Sequence, residues 1–421
     1  MLIAGTQSGC GKTTVTLALM QHLRAQGRAV APFKSGPDFL DPMWHQALCG
    51  RISYNLDTRM VGTKMSRQLL AEKSKVGDIH IIEGVMGLFD GVSGVGGEGS
   101  SAHLAKVLGE PVVLVVSAKG MSGSIVPLVE GFKARAEGMG ITIAGIIANH
   151  VGSENHAKIL RELLLEFDLP PLLAWLSKHA PQLPERHLGL KMPSEHDLPD
   201  FSHCLHVDSD FFTTEVERQG ETGHVREHGG LFKDKNIAVA RDEAFCFIYP
   251  ANIEWLQEQG AEVLFFSPLA GEAVPKDADA VWLPGGYPEL HTQALSESKS
   301  WDSLRDFIEA DKPVLAECGG MMVLGESIHG VAMAGVLPCD FVMQDKLAGL
   351  GYREEEKGVR GHEFHHSKRF FTAETQRRGE MPCAFIVHRG DSGIRYKNLR
   401  ASYIHWFFPS HSDEVASWFK A

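Results

Sequence analysis

Short apolar runs alternate with helical patterns through the first half of the chain. LIAG (2–5) leads into a Gly-rich turn and then TTVTLALMQHLRAQG, an amphipathic helix that stops at Gly27. AVAPFK (29–34), DIHIIEG (78–84), PVVLVVSA (111–118) and TIAGIIANH (142–150) read as strands. Apart from the first two segments, which look edge-like, these are nearly continuous apolar runs, as expected of strands covered on both faces. SSAHLAKVLG and ENHAKILRELLLEF read as helices between or after them. Such alternation predicts a parallel sheet with right-handed crossovers. Between about 195 and 235 the pattern fails: the segment is polar, rich in His and Glu, and reads as a short helix followed by an interdomain linker. A second strand–helix series begins at KNIAVARD (235–242) and continues through NIEWLQEQG, AEVLFFSP, DAVWLPGG and KPVLAECGG. The tail segments MPCAFIVHRG and ASYIHWFF look antiparallel. The predicted organisation is therefore an α/β domain over 1–195, a linker over 196–234, and a second α/β domain over 235–421.

Composition narrows the function classes. The 421 residues carry 41 Lys+Arg against 53 Asp+Glu, a formal charge of −12. A surface that acidic repels phosphate backbones and anionic lipid, so nucleic acid and membranes are not expected as main partners. No run of about 18 apolar residues predicts a membrane-spanning helix. The opening residues lack the features of a secretion signal, and the seven scattered cysteines form no C-x-x-C pair. A reducing cytoplasm is the expected location. The opening strand is very short, which is consistent with further residues ahead of Met1.

The strongest local signal is Gly5-Thr6-Gln7-Ser8-Gly9-Cys10-Gly11-Lys12-Thr13-Thr14, placed between a strand and a helix. Backbone N–H groups of such a loop wrap a phosphate, Lys12 neutralises its charge, and Thr13 offers a hydroxyl to Mg²⁺. Gly9, Gly11, Lys12, Thr13 and Thr14 are the expected ATP-binding set. Counted from Gly5, the spacing is one residue longer than the strict P-loop pattern and resembles the dethiobiotin-synthetase-like branch. KSGPDFLDP (34–42) follows a strand end; beside a P-loop, Asp38 becomes a candidate Mg²⁺ ligand and Lys34 a phosphate or carboxylate contact. In IIEGVMGLFDG (81–91), Glu83 ends an apolar strand where a metal-binding carboxylate sits, and Asp90 lies on the loop beyond it. Thr13, Asp38 and Glu83 form the expected metal set. Asn149 could read an adenine edge through its amide or equally cap a turn.

In the second half, PVLAECGGMM (313–322) ends a strand in Cys318, followed by two glycines and a helix. A thiol at a helix N-terminus is expected to favour the thiolate. Gly285 and Gly286, after the strand DAVWL, are candidates for an oxyanion hole. His405, in SYIH (402–405), is the candidate base. GHEFHH (361–366) looks like a metal cluster but lacks the helical H-E-x-x-H spacing, so site lining or strand packing is the preferred reading.

Taken together in order, the P-loop, KSGPDFLDP, EGVMGLFDG, PERHLGL (184–190), LPGGYPEL, AECGGMM, GHEFHHS and ASYIH resemble the cobyrinic (hydrogenobyrinic) acid a,c-diamide synthase family over nearly the whole chain. The resemblance implies an N-terminal dethiobiotin-synthetase-like, ATP-dependent synthetase domain and a C-terminal class I-like glutamine amidotransferase domain. It implies ATP as co-substrate with Mg²⁺, glutamine as nitrogen donor and a corrinoid whose a and c carboxylates are amidated through acyl phosphates. Asp38, Asp41, Glu83 and Asp90 match the family's magnesium and carboxylate-activation positions, and Cys318 its nucleophile. Phe407 stands where many amidotransferases place the Glu of a triad, so a Cys318–His405 dyad with slow glutamine hydrolysis is expected. A homodimer is compatible with this reading. Nickel-sirohydrochlorin a,c-diamide synthase and cobyric acid synthase remain alternatives; a P-loop switch protein with an inactive amidotransferase module is one from another class.

Overall fold

In a computed structural model, residues 1–92, 97–186, 189–208, 212, 229–372 and 381–420 are described. Two compact units divide the chain, Met1–Val225 and Arg226–Ala421.

The first unit is built on an eight-stranded sheet. Its strands are β1 (Leu2–Gly5), β2 (Val30–Ser35), β3 (Tyr54–Leu56), β4 (Ile79–Gly87), β5 (Val112–Ser117), β6 (Ile143–Val151), β7 (Leu172–Ser177) and β10 (Leu205–Val207). A two-residue pairing of β8 (Glu185–Arg186) with β9 (Gly189–Leu190) stands apart from it. The order is β10-β7-β6-β5-β1-β4-β2-β3, parallel except for β10, which pairs antiparallel with β7. β5 explains the rule: Val112 to Val116 are all fully buried, because helices cover both faces of a parallel sheet. Each such side chain contributes roughly 1.5–3 kcal/mol relative to exposure.

Three expectations change. β1 is central, lying between β5 and β4 with Leu2, Ile3 and Ala4 wholly buried. Four residues suffice there, since Gly5 must end the strand where the loop begins. β2 and β4, expected to be edge-like, are interior: β4 lies between β1 and β2, and β2 between β4 and β3. The stretch expected to be linker from 196 onward supplies β10, and Phe201 and Phe212 are buried in the first unit's core, so apolar residues inside a polar stretch extend that unit. Residues 209–211 and 213–228 of that expected linker lie outside the described residues.

The helices follow the same logic. α1 (Lys12–Ala25) starts directly at the Gly-rich turn, and α2 (Leu40–Cys49), α3 (Thr63–Lys73), α4 (Ser101–Leu108), α5 (Ile125–Gly138) and α6 (Glu154–Glu166) form the crossovers. Ser100 and Ser153 cap α4 and α6 by accepting the N–H groups of His103 and His156, satisfying donors that a helix start leaves open.

The second unit centres on a six-stranded sheet of order β12-β11-β13-β14-β22-β21, from β11 (Lys235–Ala240), β12 (Ala261–Phe266), β13 (Ala280–Leu283), β14 (Val314–Glu317), β21 (Ile394–Tyr396) and β22 (Leu399–Ser402). Only β21 runs antiparallel. Its helices include α7 (Pro250–Glu258), α8 (Thr292–Ser296), α9 (Ser300–Glu309) and the short α10 (Gly319–Met322). α9 buries Trp301, Leu304, Phe307 and Ile308, the i, i+3, i+4 stripe of an amphipathic helix. Beside this sheet, β15 (Ser327–Ile328), β16 (Val331–Ala332), β17 (Cys339–Met343) and β20 (Ser367–Phe371) form one small sheet; β18 (Gly349–Glu354), β19 (Arg360–His365) and β23 (Ile404–Phe407) form another. The ASYIHWFF segment splits at Tyr403: β22 pairs parallel with β14, and β23 pairs antiparallel with β19. MPCAFIVHRG is not a strand, and only Val387 makes an isolated bridge, to Glu355. No helix among the described residues is long and apolar enough to cross a membrane.

Candidate active sites

β1 ends between β5 and β4, where the strand order turns back, and the Gly-rich loop opens in that crevice. Gly11 has φ +87°, and a Cβ there would lie 2.1 Å from Asn149 Nδ2, so glycine is required for the loop to close onto the end of β6. Asn149 donates to Cys10 O at 3.0 Å, and its Oδ1 accepts the His150 N–H at 2.8 Å. A cavity of about 610 Å³ opens here, lined by Gly9, Gly11, Lys12, Thr13, Thr14 and Asp41, and also by Asn149, His150, Ser177 and Lys178. The N–H groups of the first turn of α1 and the Lys12 ammonium make this wall electropositive. Burial, reinforced by Lys34, pulls Lys12 below the usual lysine range despite the nearby Glu83 and Asp41 carboxylates.

Beneath the loop lies a buried ionic cluster. Glu83 is fully buried on β4 and receives three donors. Thr13 Oγ1 donates to its Oε1 at 2.6 Å and Lys34 Nζ to the same oxygen at 3.0 Å; His45 Nε2 reaches Oε2 at 2.7 Å, and Lys34 also donates to Gly84 O at 3.2 Å. That last bond goes to the neighbouring peptide, so Lys34 ties the carboxylate to its own main chain. Burial alone would raise Glu83, but Lys34 and the hydrogen bonds from His45 and Thr13 outweigh it and hold the carboxyl far below the ordinary range. Burial opposes the charge on Lys34 too; Asp41, Glu83 and Asp38 overcome it and keep the ammonium above the usual lysine range. Lys34 lies 2.5 Å from Asp41 and 3.6 Å from Asp38. Asp41 moves the other way, to about 6, because burial and its acidic neighbours exceed the pull of Lys34.

In the second unit, Cys318 occupies a sharp corner between β14 and α10, with φ +45° and ψ −108°. A non-glycine residue in such a conformation is strained by about 1–3 kcal/mol, a feature of functional turns. The corner is held by the Cys318 N–H donating to Ser402 O at 2.7 Å. Gly285 fixes the neighbourhood: a Cβ there would lie 2.2 Å from His405 Cε1 and 3.2 Å from Cys318 Cβ. Thiol-bearing residue and imidazole thus border the same glycine. A Cβ on Gly319 would lie 3.1 Å from Gly286 N, so that amide faces the nucleophile's turn. Both dyad members are neutral in this geometry. Burial, then Glu289, pushes the Cys318 thiol up beyond its ordinary value, against a backbone hydrogen bond from Gly319; burial, then His362 and His365, brings His405 down to about 3. The expected thiolate at a helix N-terminus is therefore corrected: α10 has four residues, and desolvation exceeds whatever its N–H groups supply.

Residues 1–183 match the family described as the CobQ/CobB/MinD/ParA nucleotide binding domain, and residues 236–413 the CobB/CobQ-like glutamine amidotransferase domain. The chain is 40% identical over 432 residues to a cobyrinate a,c-diamide synthase of Herminiimonas arsenicoxydans, covering 97% of this chain and 94% of that protein. It is 39% identical to a hydrogenobyrinate a,c-diamide synthase of Stutzerimonas stutzeri (97% and 96% covered) and 37% to a cobyrinate a,c-diamide synthase of Priestia megaterium (99% and 96%). The chain belongs to the cobyrinate/hydrogenobyrinate a,c-diamide synthase family. A member of that family uses a nucleotide-binding region and a glutamine amidotransferase region, and the two clusters above fall one in each.

Of the residues expected from sequence, Lys12, Thr13, Asp41 and Glu83 come together around Lys34, while Gly285, Gly286, Cys318 and His405 form the second cluster. Asp38 sits at the rim, half exposed. Asp90 is exposed and accepts the Gly87 N–H at 2.9 Å, which ties it to its own turn. The amide of Asn149 clamps the loop through Cys10 O and the His150 N–H, the turn-capping alternative, while Asn149 also lines the cavity. In GHEFHH, His365 stacks on Tyr403 (centroids 3.6 Å apart) and contacts Glu363 Oε1 at 2.9 Å and Ser367 O at 2.8 Å, a packing role. Sequence reasoning missed His45, whose nearest signal was its position within the DFLDPMWH run, and Glu317, which stands beside Cys318 in plain view.

Proposed function

We propose that the chain catalyses the ATP- and glutamine-dependent amidation of the a and c carboxylates of cobyrinic or hydrogenobyrinic acid. The observation that carries this reading is the Gly285 contact, which brings Cys318 and His405 to one point in a chain that also has an intact P-loop cluster. In the second unit, Cys318 Sγ attacks the glutamine δ-carbonyl as its proton passes to His405. The Gly285 and Gly286 amides receive the developing oxyanion. The C–N bond breaks, His405 returns the proton to the departing ammonia, and water releases glutamate from the thioester. Because both dyad groups rest neutral, that first proton transfer accompanies substrate binding, which fits slow hydrolysis in its absence.

In the first unit, Gly9, Gly11, Lys12, Thr13 and Thr14 hold the triphosphate of ATP. A corrinoid carboxylate attacks the terminal phosphorus as the bond to ADP breaks; the acyl phosphate then accepts ammonia and loses phosphate. Lys34 offsets the charge of the incoming carboxylate, with Asp41 at its side. The donor set suits Mg²⁺: Thr13, Glu83 and Asp38 offer hard oxygen atoms, and Thr13 Oγ1 already lies 2.6 Å from Glu83 Oε1. When bound, the ion supplies neutralisation of triphosphate charge. Mass spectrometry of corrinoid products formed with ATP and glutamine tests the proposal. Two successive hydroxyl-to-amino exchanges are expected; absence of amidation on both acids overturns it.

A further inference from the structure

Phe407 removes the usual carboxylate partner of a triad histidine, so something else must fix His405 against Cys318. Among the described residues β23, which carries His405, has a ladder partner on one side only: β19, with His405 opposite His362. Its other edge is taken up by side chains. Trp406 N–H donates to Glu317 Oε1 at 2.9 Å, while Asn252 Nδ2 donates to Trp406 O at 2.8 Å and its Oδ1 accepts the Phe408 N–H at 2.9 Å. Glu317 is the last residue of β14, next to Cys318, and only 1% exposed. Its second oxygen, Oε2, accepts Trp282 Nε1–H at 3.1 Å. Trp282 lies on β13, three residues ahead of Gly285.

One buried carboxyl group therefore joins all three parts of the second cluster. It is covalently adjacent to the nucleophile, hydrogen-bonded to the peptide that follows His405, and hydrogen-bonded to the strand that delivers the oxyanion glycines. On this side the main-chain bonds reach only as far as Ser402 O, which accepts the Cys318 N–H, and the chain then changes sheets before His405. Resting on the dyad reading above, we propose that Glu317 is the positioning residue of the glutaminase: its carboxyl stands in for a missing ladder carbonyl and sets His405 and Gly285 against Cys318. In a triad enzyme the carboxylate holds the imidazole ring; here it holds the backbone on either side of the reacting atoms. Misplacement by about 1 Å can cost on the order of 10²-fold in rate without loss of binding.

The test compares Glu317→Ala, Glu317→Gln and Trp282→Phe with the full-length enzyme, measuring glutaminase kcat and KM, ammonia-dependent synthesis and thermal melting. Glu317→Ala is expected to lower kcat about 100-fold with KM for glutamine nearly unchanged and ammonia-dependent synthesis intact. Glu317→Gln, which keeps an acceptor oxygen for Trp406, should recover most of that loss. Trp282→Phe removes one donor while retaining bulk and should lower kcat by roughly tenfold. Wild-type kcat in Glu317→Ala, or a rise in KM at constant kcat, overturns the proposal. If Glu317→Ala does not fold, unchanged kcat in Trp282→Phe overturns it. Failure of the dyad reading shows separately: Cys318→Ala would then still hydrolyse glutamine.

Discussion

Glu83 and Glu317 are both withdrawn from water on strands of mainly parallel sheets, Glu83 within β4 and Glu317 at the end of β14, yet their surroundings push them in opposite directions. Glu83 meets an ammonium, an imidazole and a hydroxyl, and these hold its carboxyl far below the ordinary range although burial opposes them. Glu317 meets the N–H groups of Trp282 and Trp406, which do not compensate burial, and its carboxyl rises to about 8. The difference extends to the whole of each site. Around the P-loop, fixed charges are assembled before any substrate arrives, as suits a reaction among phosphates and carboxylates. At Cys318 the reacting groups themselves carry no charge at rest, thiol and imidazole both being held in their neutral forms by burial. Charge is prepared in one site and generated in the other.

The sharpest way to break this comparison is to cut each site separately. Cys318→Ser should lower glutamine-dependent synthesis by on the order of 10³-fold or more, because a hydroxyl replaces the thiol beside a weakly basic histidine. Synthesis with high ammonium at mildly alkaline pH should persist within about twofold, since the other site does not use the thiol. Product mass spectrometry alongside glutamate release checks both; loss of the ammonia reaction in a folded variant would contradict separate sites. Conversely, Lys12→Ala or Glu83→Gln should lower synthesis with either nitrogen source by more than about 10²-fold, with glutaminase largely retained. Full ammonia-dependent synthesis by either variant would remove these residues from carboxylate activation.

Stability sharpens the contrast. Lys34→Ala strands Glu83 and Asp41 without their shared cation, and breaking a buried pair in this way costs about 3–5 kcal/mol. A melting temperature close to wild type would show the cluster to be solvated instead. The smallest effect is in the pH dependence of the two carboxyls. Glu317 is raised from 4.5 to about 8, so its contribution is complete below pH 4.5 and is lost as pH rises through 8. Glu83 is lowered, so its contribution is present above 4.5 and is lost as pH falls below it. Relative to Glu317→Gln, wild type should lose melting temperature between pH 5 and 8.5. Relative to Glu83→Gln, it should lose it between pH 6 and 3.5. Each changes by roughly 2–4 °C per kcal/mol. Parallel curves for either pair would show that carboxyl to be unperturbed.

What could be read from sequence divides along the same line. Lys12, Thr13 and Glu83 announce themselves because a loop between strand and helix, and an acid at a strand end, are local patterns. Cys318 is legible for the same reason. The central place of β1 is not, since strand order depends on which partners a strand meets and not on its own length. β10 was hidden because three residues in a polar stretch carry little periodicity. The roles of His45, Asn149 and Glu317 depend on bonds to residues 38, 139 and 89 positions away, which no spacing pattern encodes. The raised thiol of Cys318 was missed because burial, which outweighs the helix terminus, belongs to the completed fold.

The corner at Cys318 also has a consequence for the order in which the protein comes into being. Its positive-φ backbone is retained by a bond to Ser402 O, and its proposed base is His405, both synthesised long after the thiol itself. Translation therefore delivers the nucleotide-binding region complete, then a cysteine that is chemically ordinary, and only at the last strands a glutaminase. On the proposed dyad, a chain still emerging from the ribosome would release no ammonia, and the nitrogen supply would be switched on by the finishing of the fold.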